Sequence, residues 1–359
     1  MIKVAIVGTG QMAHGHAKAF QNIDGVSIIS ACDVDIDRVN KFADFFNIKE
    51  RYTSIDELLE KSNVDAISNV TPDSFHKVIG LKCIAKNKHV FSEKPLAENY
   101  PDAQEMYEAV KNSQLINMVN FSYRKSSGLQ SISNLVRSGK LGAVRHVEAS
   151  YYQSWLTSKY WGDYREIDTW LWRLSTKHGS MGTLGDKGVH IFDFVTLPAG
   201  NIKKINAKLK TFKDKGDKIG EYILDANDSF ITMLEFENGA LGTVVSTRFA
   251  TGEINKLNLQ IYCEKGAVRI AFDEPNSEGN YYEITTDTET IFTEEDRRLN
   301  KKLKWEKILT NPTPSNFERF IESIKSGKND QPDFKRGAEV QKILDACIKS
   351  SDDNAWIDI

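Results

Sequence analysis

Residues 2–13, IKVAIVGTGQMA, constrain this chain more than any other stretch. The apolar run Val4–Val7 has strand length and stops at Gly8. Gly8-Thr9-Gly10-Gln11-Met12-Ala13 then has the form GxGxxA and opens a segment with helical spacing. A strand, a glycine turn and a helix in that order make a phosphate cradle. The first glycine permits the tight turn, the second lets the backbone approach a pyrophosphate, and the small Ala13 lets helix and strand pack closely. The helix N-terminus adds free N–H groups and a partial positive charge. Gly8, Thr9, Gly10, Gln11 and Met12 are therefore the expected cofactor loop. Twenty residues beyond Ala13, at the end of the next apolar run, stands Asp33. A carboxylate there accepts both ribose hydroxyls of adenosine and repels a 2′-phosphate, which favours NAD over NADP. Arg38, the closest base, is placed to stack on adenine or to receive a 2′-phosphate. The competing reading is that Asp33 merely caps the next helix.

The first 121 residues repeat this alternation. Apolar runs at 2–7, 26–32, 65–70, 88–92 and 115–121 are separated by segments with helical spacing, such as Val39, Phe42, Ala43 and Phe46. Ser54 with Glu57 has the form of a capping box. Such alternation predicts right-handed crossovers and a doubly wound parallel sheet, an α/β Rossmann domain over 1–121. The pattern changes after residue 122. A helix is expected over 129–136, a strand over 144–154 and an apolar helix over 184–197. From 202 to 286 strands alternate with turn signals. Asn238-Gly239 and Glu264-Lys265-Gly266 each mark a hairpin, and adjacent hairpins make an antiparallel sheet. Two helices close the chain, at 315–326 and 335–350, and the charged run 286–304 reads as a solvated excursion. The second domain, 122–359, is thus an α+β domain with a large open, mainly antiparallel sheet. In such pairs a ligand binds at the carboxyl ends of the parallel strands.

Lys plus Arg (47) nearly balances Asp plus Glu (50), which argues against a protein built to hold nucleic acid. The length of 359 residues fits two domains, and 40% hydrophobic residues argue against disorder. No stretch approaches the roughly 18 apolar residues of a membrane helix, and the first run is too short for a signal peptide. The four cysteines form no CxxC, so neither a disulfide framework nor a structural zinc site is expected. The default reading is a soluble cytoplasmic protein.

Several residues could carry chemistry. Ser92-Glu93-Lys94-Pro95 ends the run at 88–92, on the edge a nicotinamide would reach. Lys94 there is either a surface cation or a positioned donor, and Pro95 restricts its backbone. Asn69-Val70-Thr71-Pro72 ends the run at 65–70. Asn69, Thr71, Pro72 and Glu93 are candidates to line the cofactor, with His76 as a cap or phosphate neighbour. Asp186 and His190 lie four apart, on one face if that segment is helical, and Asp193 is placed to brace the histidine. A carboxylate and an imidazole so arranged suit removal of a hydroxyl proton. They also suit a metal, but two ligands with no third nearby make a metal the weaker reading. A satisfied structural histidine is the bland alternative.

Together GxGxxA, the NVTP strand end, the EKP tripeptide and D-x-G-x-H-x-x-D resemble the Gfo/Idh/MocA family of glucose–fructose oxidoreductase and inositol dehydrogenase-like enzymes. The resemblance spans residues 1 to about 195 in motif. It implies oxidation of sugar, inositol or polyol hydroxyls with a nicotinamide cofactor. It places the family's lysine at Lys94, its substrate-binding aspartate at Asp186 and its catalytic histidine at His190. Asn120-Phe121-Ser122-Tyr123-Arg124 resembles the hinge segment, and Trp172-Arg173 the Trp-Arg before the site helix, which makes Tyr123, Arg124, Trp172 and Arg173 expected substrate neighbours. Where family members often carry consecutive glycines, this chain has Gly179-Ser180-Met181-Gly182. Trp155, Tyr160, Trp161 and Trp170 enrich the same stretch; sugar faces pack on such rings, as do cores and subunit contacts.

The expected reaction moves a hydride from a secondary alcohol carbon to NAD, with His190 as base and Lys94 stabilising the alkoxide. The alternatives are an NAD-dependent glycosidase or sugar–sugar oxidoreductase that retains its cofactor, and a sensing regulator without catalysis. The resemblance also implies a homodimer or homotetramer packed through the second domain's sheet, with Ile231, Met233, Leu241, Val245, Leu257, Leu259 and Ile261 as its apolar residues. No residue pattern separates an inositol from a hexose, a pentose or a sugar acid.

Overall fold

The computed structural model describes residues 1–359 except 167, 179–180, 213–216 and 274–275, and the backbone alone of 168–170. All elements and counts below concern these described residues. They cluster into two compact units. The first comprises Met1–Ser122 and Pro314–Lys342, with His178; the second comprises Tyr123–Lys177, Met181–Thr313 and Ile343–Ile359.

The first unit alternates strand and helix: β1 (Ile2–Val7), α1 (Gln11–Gln21), β2 (Val26–Cys32), α2 (Ile36–Phe46), β3 (Glu50–Tyr52), α3 (Ile55–Lys61), β4 (Ala66–Asn69), α4 (His76–Ala85), β5 (His89–Ser92), α5 (Tyr100–Lys111) and β6 (Asn117–Val119). The six strands are all parallel, in the order β3-β2-β1-β4-β5-β6. This is the doubly wound order, and it reverses between β1 and β4, where a crevice opens at the strand ends. The helices follow their apolar spacing: α1 buries Ala13, His16, Ala17 and Phe20, and α2 buries Val39, Phe42, Ala43 and Phe46. The three-residue β3 has no apolar run to announce it. Ser54 caps α3 by accepting the Glu57 N–H (3.5 Å), while the Glu57 carboxylate pairs with Lys61 (2.7 Å).

Residues 314–342 fell in the second domain by sequence. In the structure α9 (Asn316–Ser326) belongs to the first unit: Phe320 and Ile321 are part of the same core as Phe20 and Phe91, and Phe317 packs against it. Nothing local to that helix encodes which sheet it covers.

The second unit holds α6 (Ser127–Arg137), β7 (Val144–Gln153), α7 (Val189–Ala199), β8 (Ile202–Lys210), the short pair β9 (Lys218–Ile219) and β10 (Tyr222–Ile223), β11 (Ser229–Phe236), β12 (Leu241–Thr247), β13 (Asn255–Cys263), β14 (Gly266–Phe272), β15 (Tyr281–Thr285), α8 (Glu294–Arg298) and β16 (Glu306–Leu309). The helix α10 (Phe334–Asp353) and β17 (Ile357–Asp358) end the chain. Nine strands form one sheet, β16-β15-β14-β13-β7-β12-β11-β8-β17. Both expected hairpins form, with Glu235 opposite Leu241 and Cys263 opposite Gly266. They are not adjacent. β7 lies between them, antiparallel to β13 and parallel to β12, so the sheet is mixed. Turn residues encode only the local pairing; a strand whose residues lie 95 positions upstream of their β12 partners enters by tertiary contact.

The seven apolar strand residues divide between two faces. Leu257, Leu259 and Ile261 are buried and Val245 is half-buried, whereas Ile231, Met233 and Leu241 are 60%, 52% and 56% exposed. The expected apolar helix at 184–197 begins with a π turn, Leu184–Gly188, before α7. The excursion 286–304 is exposed apart from part-buried positions, with the single turn α8 capped by Thr293. No described helix is long and apolar enough to cross a membrane.

Candidate functional site

The glycine turn of the first unit is built for close approach. Gly8 has φ +88°, and a Cβ there would lie 2.6 Å from the Val70 carbonyl oxygen, so β1 and β4 can come together only over a glycine. A Cβ on Gly10 would meet nothing within 4 Å. Gly10 caps α1 with no side-chain bond, and the first turn of α1 holds no acidic residue. This is the donor set a diphosphate needs.

Asp33 is tied to that turn: its Oδ2 accepts the Thr9 backbone N–H (2.8 Å) and hydroxyl (3.0 Å). Asp35, not Asp33, caps α2, accepting from the N–H groups of Asp37 and Arg38. The capping alternative for Asp33 is thereby removed. Arg38 is exposed and pairs with Asp35 (3.3 Å).

The ends of β4 and β5 are clamped together. Asn69 accepts the Thr71 hydroxyl (2.7 Å) and donates to the His76 carbonyl (3.1 Å). The His76 ring is buried, with Nδ1 2.6 Å from the Pro95 carbonyl and Nε2 2.8 Å from the Thr71 carbonyl. Both nitrogens face backbone carbonyls, so the imidazole ties the two loops together. The Lys94–Pro95 peptide is cis. Glu93 is buried as well; its Oε1 accepts from Asn120 (2.7 Å) and lies 2.8 Å from His16 Nε2. It faces protein, where the sequence suggested cofactor. His16 and Ser68 were not visible as site residues, although His16 falls on the buried α1 stripe with Ala13, Ala17 and Phe20.

In the second unit the π turn and α7 bring Asp186 and His190 close to one another in the chain, both buried. Gly182, at φ +64°, starts this segment against the Asn227 backbone, which a Cβ would meet at 2.4 Å. Asn227 pins the start further, donating to the Met181 carbonyl (2.6 Å) and accepting the Leu184 N–H (3.0 Å). The glycine departure at Gly179-Ser180 lies outside the described residues, as does the Trp170 side chain.

Asp186 collects cations. Arg173 reaches Oδ1 (2.9 Å), and Arg248 (3.2 Å) and Lys187 (3.3 Å) reach Oδ2. Arg248 is fully buried and lies over the Trp155 ring at 4.7 Å. Burial lowers its pKa, and the Asp186 charge opposes that. A lone arginine following an apolar strand, Val244-Val245-Ser246-Thr247-Arg248, was the available signal. Arg173 stacks over Trp172 at 4.3 Å. Trp155 thus belongs to a core with Leu156, Tyr164, Leu171, Leu174 and Leu224, while Tyr160 and Trp161 are exposed.

Asp193 receives Arg124 through two 2.7 Å bonds, so it braces the hinge arginine. Tyr123 sets its ring edge-on to His190 (5.3 Å) and its hydroxyl 2.6 Å from that of Tyr151. Burial raises the pKa of both phenols. Among the described residues no group of three or more His, Cys, Asp or Glu is arranged to hold a metal.

The profile of an "oxidoreductase family, NAD-binding Rossmann fold" matches residues 2–121, and that of an "oxidoreductase family, C-terminal alpha/beta domain" matches residues 133–359. Levoglucosan dehydrogenase of Pseudarthrobacter phenanthrenivorans is 23% identical over 338 residues, 84% of this chain and 82% of that protein. Myo-inositol 2-dehydrogenase of Thermotoga maritima is 24% identical over 269 residues, 74% of each. Among solved structures, levoglucosan dehydrogenase with NADH and levoglucosan has a TM-score of 0.86 at 21% identity, covering 100% of this chain and 99% of that one. An oxidoreductase domain protein from Kribbella flavida has a TM-score of 0.85 at 26% identity, with the same coverage. At 21% the likeness is one of fold.

Proposed function

The chain belongs to the Gfo/Idh/MocA oxidoreductase family, an NAD-binding family by its first domain, and from that premise we propose that it oxidises a secondary hydroxyl of a sugar, an inositol or a related polyol. The relatives above are named for levoglucosan and myo-inositol, both ring polyols. The observation that carries the reading is that Asp186 and His190 are both buried four residues apart at the start of α7, with the Asp186 carboxylate ringed by Arg173, Arg248 and Lys187.

NAD, when bound, supplies the hydride acceptor. Gly8, Thr9, Gly10, Gln11 and Met12 hold its diphosphate, Asp33 and Arg38 its adenosine, and Asn69, Thr71 and Pro72 line its path. Glu93 and His76 act by holding the loops. His190 takes the hydroxyl proton, since an imidazole exchanges protons near neutral pH. Lys94, an ammonium at the end of β5, stabilises the developing alkoxide. Asp186, fixed by its cations, orients a substrate hydroxyl. Tyr123, Trp172 and Arg173 flank the substrate, and Arg124 positions this wall through Asp193. Self-association to a dimer or tetramer uses the sheet face that bears Ile231, Met233 and Leu241.

The test is reduced-cofactor absorbance with NAD or NADP and a panel of myo-inositol, levoglucosan, glucose, gluconate and an amino sugar. Reduction of NAD by at least one polyol, faster than of NADP, is expected. Absence of NADH binding, or binding without reduction by any polyol, overturns the proposal.

A further inference from the structure

Five buried polar side chains form one hydrogen-bonded chain through the first unit. Asn316 of α9 donates to Asn120 Oδ1 (3.3 Å), and Asn120 donates to Glu93 Oε1 (2.7 Å). His16 Nε2 lies 2.8 Å from the same oxygen, and His16 Nδ1 lies 2.9 Å from the Ser68 hydroxyl. The other Glu93 oxygen accepts the backbone N–H of Lys94 (3.2 Å). Burial penalises this carboxylate, but the hydrogen bond and charge of His16, the charge of Lys94 and the Asn120 amide outweigh it. Glu93 is held well below the usual carboxylate range.

Apolar packing would have filled this place. The His16 ring stands edge-on to Phe91 (5.6 Å) and Phe317 (4.9 Å), inside the aromatic core. A buried hydrogen-bonded polar pair adds little stability over apolar side chains of similar volume. What it adds is direction. α1 starts at the glycine turn, Ser68 sits on β4 just before Asn69, and Glu93 leads into Lys94. The pair therefore bonds the three segments on which the proposed cofactor site depends.

We infer that His16 and Glu93 are positioning residues that set the place of Lys94 relative to the glycine turn. The inference rests on the proposed dehydrogenase reading for its kinetic consequence, and on the first unit alone for its geometry. Glu93→Gln keeps the shape and removes the charge; Ser68→Ala removes only the far bond of His16.

The experiment uses the full-length protein with NAD and the best polyol of the panel above. It reads kcat, the NADH dissociation constant by fluorescence, the deuterium isotope effect on the carbinol hydrogen, and the rate at which acetic anhydride acylates Lys94 relative to Lys61. In Glu93→Gln, kcat falls by about 10–100-fold, the scale of a sub-ångström to ångström misplacement. NADH affinity stays within about threefold, the isotope effect rises, and the Lys94:Lys61 acylation ratio changes. Ser68→Ala moves each quantity the same way by less, and carries the test if Glu93→Gln does not fold. The double variant His16→Gln/Glu93→Gln, a neutral hydrogen-bonding pair, recovers part of kcat. Unchanged kcat overturns the inference, as does a loss of NADH affinity in step with kcat at constant acylation ratio. If the wild type reduces NAD with no polyol, the functional reading has failed. The acylation ratio and NADH affinity then still decide the positioning role.

Discussion

Arg124 and Asp193 meet as a two-bond fork at 2.7 Å, with both side chains at least 95% buried. The pair joins the segment after β6 to the middle of α7. Asp193→Asn would leave a buried guanidinium with a neutral partner. The cost of breaking a buried pair is about 3–5 kcal/mol. A lower urea midpoint, most of it recovered when Arg124→Met is added, is expected; an unchanged midpoint would show that the fork holds nothing.

Lys94→Ala should lower turnover by about 10²–10⁴-fold, the scale of a proton-transfer group, with NAD affinity nearly unchanged. Steady-state kinetics and equilibrium binding on the same preparation check this. Turnover equal to wild type would remove Lys94 from the chemistry.

Asp33 both receives Thr9 and, in the proposed site, the adenosine ribose. Asp33→Ser should weaken NAD by about 10-fold or more, since a charge-assisted bond and a loop contact are lost together. NADP should weaken less, because the repulsion of its 2′-phosphate goes too. Dissociation constants for both cofactors test the sign of the difference.

Glu93 also makes acid stability a readout. Its folded pKa lies below the unfolded value of 4.5, so as pH falls the folded state binds fewer protons than the unfolded chain does. Its contribution is fully present above about pH 4.5 and is lost as pH drops toward the folded pKa. Glu93→Gln should flatten the decline of the urea midpoint below that pH. A decline identical to wild type would assign acid unfolding to other carboxylates.

Met233→Glu or Ile231→Lys places a charge on the exposed sheet face. If that face mediates self-association, light scattering should show a shift toward monomer at unchanged circular dichroism. A wild-type monomer would remove the surface from consideration.

The first unit was the more legible of the two, and the reason is locality. Strand, glycine turn and helix are consecutive, so Gly8, Gly10 and Ala13 state their own geometry, and Asp33 follows just past the end of β2. The hairpins at Asn238-Gly239 and Glu264–Gly266 were legible on the same ground. The insertion of β7 between them was not, because a parallel partner is chosen by packing across 95 residues. Asp186 and His190 stood out through their four-residue spacing, with Asp186 in the π turn and His190 in α7.

Residue types and short spacings by themselves determined the cofactor cradle, the alternation of the first unit and the motif pairs of the site, because each is a contact within one or two turns of chain. Partners far apart in sequence were settled only by the folded molecule: His16 with Glu93, Arg124 with Asp193, and Arg248 with Asp186. A buried charge must find its counter-charge wherever packing brings one, and no spacing rule records that choice.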